Sequence, residues 1–73
     1  MQKYKNLGGN SGVDSFEIGA DYVTVRFHNA PRLYTYSYQS AGIEKVEQMK
    51  NLALSGHGLN EFINRYARYS YVK

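Results

Sequence analysis

The spacing of apolar and polar positions changes period along the chain. From Ser15 to Ile18 it alternates, with Phe16 and Ile18 on one side and Ser15 and Glu17 on the other, which predicts a short strand. Gly19-Ala20-Asp21 is a turn, where glycine frees the backbone and aspartate bonds locally. Val23, Val25 and Phe27 then oppose Tyr22, Thr24 and Arg26, a second strand with one covered face and one wet face. The connection His28-Asn29-Ala30-Pro31-Arg32 follows; Pro31 has no N–H to donate and biases Ala30 towards extended geometry. A third strand runs from Leu33 to Tyr38 with its three tyrosines on one face.

The period then lengthens. Ser40 is placed as an N-cap, and Ile43, Val46, Met49 or Lys50, and Ala53 recur at helical spacing, with Leu52 and Leu54 beside them. Gly56 ends this helix as a left-handed cap. Leu59, Phe62, Ile63 and Tyr66 form the apolar stripe of a second helix. Tyr69-Ser70-Tyr71-Val72 alternates weakly, and either lies along the sheet edge or frays. The expected fold is therefore α+β: a three-stranded antiparallel β-meander covered on one face by two C-terminal helices, in the order β-β-β-α-α. Residues 1–12, polar and rich in glycine, are expected to be a flexible tail, and 13–73 a single domain.

At 73 residues there is one domain with a small core. With no cysteine, neither a disulfide nor a thiolate metal site supports it. Eight tyrosines and three phenylalanines must fill the core as well as decorate the surface, so Tyr34 and Tyr36 are expected on the same side as Val23 and Val25. Residues 1–12 lack the apolar run of a signal peptide, and no segment approaches a membrane span, so a cytoplasmic protein is expected. The net charge of +3 permits contact with a polyanion without requiring it.

The ordered combination of a serine-led short strand, a glycine turn, Val-x-Val-x-Phe, Tyr34-Thr35-Tyr36, Ser55-Gly56-x-Gly58, Phe62-Ile63 and Tyr66 resembles the KTSC domain over Gly12 to Val72. That family takes its name from the C-terminus of certain lysyl-tRNA synthetases and also occurs as a free-standing small bacterial protein. The resemblance implies a domain of unestablished function for which RNA binding has been suggested, and it supplies no catalytic residues.

The residues themselves point to the same class. Tyrosines interleaved with cations stack bases and neutralise phosphates. The candidates are Arg26, Arg32 and Tyr38 around the strand hairpin and Arg65, Arg68, Tyr69 and Tyr71 at the C-terminus. The competing reading makes Tyr34, Tyr36 and Tyr66 core residues and leaves the arginines solvated. An enzyme is not expected: the two histidines, His28 and His57, stand in separate loops, and no serine has an evident base and orienting acid. Nor is a metal or cofactor expected. The expectation is a non-catalytic binding module for RNA or single-stranded DNA. The alternative is a protein-interaction module that uses the exposed edge of the third strand, for a peptide strand or for a weak homodimer in place of a monomer.

Overall fold

A computed structural model describes residues 1–9, 12–28 and 30–73. Asn29 of the expected hairpin connection, and Asn10 and Ser11 of the expected tail, lie outside the described residues. The sheet has four antiparallel strands in sequence order: β1 (Gln2–Lys3), β2 (Val13–Ile18), β3 (Tyr22–Phe27) and β4 (Leu33–Ser37). Three helices follow: α1 (Tyr38–Ala41), α2 (Ile43–Ser55) and α3 (Leu59–Tyr66). The α+β class stands, but the meander has four strands where three were expected.

The fourth strand comes from the segment expected to be a tail. Gln2 and Lys3 pair with Phe16 and Ser15, and the Tyr4 amide donates to the Asp14 carbonyl. Tyr4 is buried and meets Phe16 edge-on, with ring centres 6.5 Å apart. Its hydroxyl accepts the Leu59 amide at 3.2 Å. That contact matters because α3 begins after Gly58, which has no side chain with which to cap the helix. The Leu7 amide likewise satisfies the Gly56 carbonyl at the end of α2. The N-terminal residues thus complete the ends of two helices.

Alternation sets the faces of the sheet. Val23 lies opposite Tyr36 and Val25 opposite Tyr34, so the tyrosines of β4 share the covered face, as expected. In β2 the register shifts between Val13 and Ser15: Val13 opposes Phe27 while Ser15 opposes Arg26. Asp14 is the extra residue of a β-bulge, and it lets Val13 join Phe16 in the core rather than follow Ser15 to the other face. On that other face Thr24 and Thr35 share a hydrogen bond of 2.8 Å across the strands.

The third strand ends one residue earlier than expected. Ser37 and Ser40 form a reciprocal capping box, in which the Ser37 hydroxyl accepts the Ser40 amide and the Ser40 hydroxyl accepts the Ser37 amide. Ser37 rather than Ser40 is therefore the cap, and Tyr38 opens a helix instead of closing a strand. Gly42, at φ 94°, separates this short α1 from α2. Gly56, at φ 76°, ends α2 as expected. Val46, Met49 and Ala53 of α2 and Leu59 and Ile63 of α3 are buried against β3 and β4 or each other. Burying each of the larger of these contributes roughly 1.5–3 kcal/mol. Ile43 and Tyr66, expected on the apolar stripes, and Leu54, expected beside one, are instead half exposed or more.

Candidate nucleic-acid interface

Three elements converge on one groove. Strand β4 contributes Tyr34 and Tyr36 from its covered face. Helix α3 contributes Asn60, Ile63 and Asn64, which its periodicity puts on one side. The segment after α3 contributes Arg68, Tyr69 and Tyr71, with Phe27 and Ala30 at the hairpin end. The groove encloses about 360 Å³.

The C-terminal segment is held by three backbone bonds. The Ala67 amide donates to Ile63, the Ser70 amide to Ala67, and the Val72 amide to Thr35 at 2.7 Å. Ala67 is buried and anchors the turn. Tyr71 then drives its ring edge-on against Tyr34, at 4.9 Å between centres, and Tyr36, at 6.3 Å. Phe27 meets Tyr34 in the same way at 5.6 Å. These edge-to-face contacts add stability beyond the area buried, about 0.5–1.5 kcal/mol each. Arg32 lies over this aromatic wall, 5.3 Å from the Tyr34 ring centre and 5.4 Å from that of Tyr71. Arg68 lies 5.5 Å from the ring centre of Tyr69, which is largely exposed.

The polar groups in this groove are without partners. The side chains of Asn60 and Asn64 and the hydroxyls of Tyr34, Tyr36 and Tyr71 make no hydrogen bond among the described residues. No described residue lining the groove is acidic. Tyr36 is only 1% exposed, yet no fully buried side-chain oxygen or nitrogen among the described residues lacks a partner. Its hydroxyl is therefore the atom that reaches the groove. Burial, with smaller contributions from the neighbouring Tyr34 and Tyr71 phenols, pushes the Tyr36 pKa up to about 12. It stays a neutral donor and acceptor at physiological pH.

Of the expected site residues, Arg68, Tyr69 and Tyr71 line the groove, and Arg32 covers its wall. The other three lie elsewhere. Tyr38 donates to Glu47 at 2.6 Å and has the Lys50 ammonium 5.5 Å from its ring centre, among α1 and α2. Arg65 faces outward from α3, 3.8 Å from Glu61. Arg26 stands on the opposite face of the sheet, in a recess with Asp14 and His28. Asn60 and Asn64 had no part in the expected site; Tyr36 was expected in the core, where its ring lies, and its hydroxyl opens to the groove. The one signal of these asparagines in the sequence is that Asn60 and Asn64, at i,i+4 spacing, share the side of α3 that carries Ile63.

The edge of β4, expected to be open for strand addition, is partly occupied. Val72 takes the Thr35 carbonyl, and the Ser40 hydroxyl takes the Ser37 amide. Both outward groups are thereby withdrawn from an incoming strand. Among the described residues, no three His, Cys, Asp or Glu side chains come together as a metal set, and no helix is long and apolar enough to cross a membrane. The chain matches no family model, no curated protein and no solved structure.

Proposed function

We propose that this chain is a non-catalytic, KTSC-like binding domain that holds single-stranded nucleic acid, RNA or DNA, along the groove between β4, α3 and the C-terminal segment. One observation carries the reading. Aromatic rings, the Arg68 guanidinium and neutral polar groups without protein partners meet in a groove whose described lining has no carboxylate, with Arg32 over its Tyr34 and Tyr71 rings. Single strands bind through base stacking on aromatic side chains and cationic contact with the backbone, and this groove supplies both. A duplex would need a longer basic face than Arg32 and Arg68 provide.

Titration of a labelled mixed-sequence single strand into the protein tests the reading. The expected result is saturable binding at low salt that weakens as salt rises, because phosphate contact releases counterions. Absence of binding at low salt would sink it.

A further inference from the structure

Resting on that reading, we infer that the groove takes one unstacked nucleobase, with the base inside and its phosphate at the rim on Arg68. The distribution of charge along the groove makes the distinction. Its uncharged polar groups are two-sided: the Tyr36 hydroxyl, the half-buried Asn60 amide and the exposed Asn64 amide each offer a donor and an acceptor. Its cations, Arg68 and Arg32, stand at the aromatic rim. A phosphate offers only acceptors and would be better met by cations throughout. A base edge presents donors and acceptors side by side on a flat apolar ring, and it carries its phosphate a short distance away.

Tyr36 is the sharpest part of this assignment. Its ring is buried, with the residue 1% exposed, while its hydroxyl makes no hydrogen bond to a described residue and opens onto the groove. Open to the groove, this hydroxyl is free to give its donor or its acceptor to a ligand atom. The volume of about 360 Å³ lies near the lower end of the range for small-molecule sites, about 300–1,000 Å³. It suits one heterocycle rather than a stack of several. Exposed Tyr69 offers a ring face, and Tyr34 with Tyr71 form an edge-packed wall of the same groove.

The test compares two labelled probes of equal length: a mixed-sequence single strand, and the same sugar-phosphate backbone without bases. The unmodified protein should bind the abasic strand roughly tenfold or more weakly, because stacking is lost. Tyr36→Phe should weaken binding of the base-bearing strand about two- to tenfold and leave the abasic strand unchanged. Asn64→Ala, at an exposed position that does not threaten the fold, should act in the same direction. Equal affinity for both strands would overturn base capture while leaving backbone binding intact. An unchanged Tyr36→Phe affinity would also overturn the assignment of the hydroxyl. Failure of both strands to bind would overturn the groove as a nucleic-acid site altogether.

Discussion

Tyr36 and Tyr38 are two residues apart, yet their surroundings differ in one decisive respect. Tyr38 belongs to a closed set. It donates to Glu47, Glu47 accepts Lys50 at 2.8 Å, and Lys50 also reaches the Ala20 carbonyl at 2.9 Å. Each charge there has its counter-charge. The bonds to Lys50 and then Tyr38 hold the Glu47 carboxyl below its ordinary range, while the bond to Glu47 raises the pKa values of both Tyr38 and Lys50. Tyr36 faces a groove with similar residue types, a tyrosine beside cations, but no described acid lines it. The lesson is that tyrosine and cation together do not mark a binding site. A site needs the absence of an internal carboxylate that would satisfy them.

Supplying that carboxylate is the strongest way to break the contrast. Asn64 is exposed and stands four residues before Arg68. Both residues line the groove, so Asn64→Glu should bring a carboxylate to the Arg68 side of it and repel phosphate. Affinity for a single strand should fall more than tenfold, with the melting temperature nearly unchanged because the substituted position is exposed. Unaltered affinity would show that the acid-free lining is irrelevant.

The second test is alkaline stability. The folded pKa of Tyr36 is raised above its unfolded value, so its contribution is fully present below the unfolded pKa near 10 and is lost as pH rises through about 12. Stability should decline over that window, with the open hydroxyl limiting the size of the loss. Tyr36→Phe should flatten the decline while leaving the neutral-pH fold intact; an identical profile would show that the phenol is not sequestered.

The smallest effect is expected at the closed set. Glu47→Gln should leave single-strand binding unchanged and lower stability only slightly. Since the folded pKa of Glu47 is depressed, its contribution is present above the unfolded value and lost as pH falls through the folded one. The variant should therefore lose the acid limb of that dependence. A marked fall in binding would place Tyr38 and Lys50 in the site after all.

The central strands and the two longer helices were legible from periodicity, because Val23, Val25, Val46, Met49, Ala53, Leu59 and Ile63 recur at the spacing of the element that buries them. What escaped was non-local or decided by competition between neighbours. Strand β1 is only Gln2 and Lys3, too short to alternate, and Tyr4 acquires meaning only beside Phe16 and the Leu59 amide. The Asp14 bulge has no signature in the residues themselves. Ser37 and Ser40 are both sound caps by type; reciprocal bonding chose the earlier one and turned Tyr38 away from the groove. Arg65 and Arg68 look alike in sequence, yet Arg65 is still within α3, near Glu61, while Arg68 lies past its end and turns towards Tyr69. The aromatic and basic character of the site could thus be read, but its membership only in part.

The most direct measurement is the salt dependence of single-strand affinity for the unmodified protein and for Arg68→Ala. Log affinity should fall linearly with log salt, and the substitution should weaken binding and make the slope shallower by about one. A flat line for the unmodified protein, or parallel lines for the two, would contradict a phosphate contact at the rim of this groove.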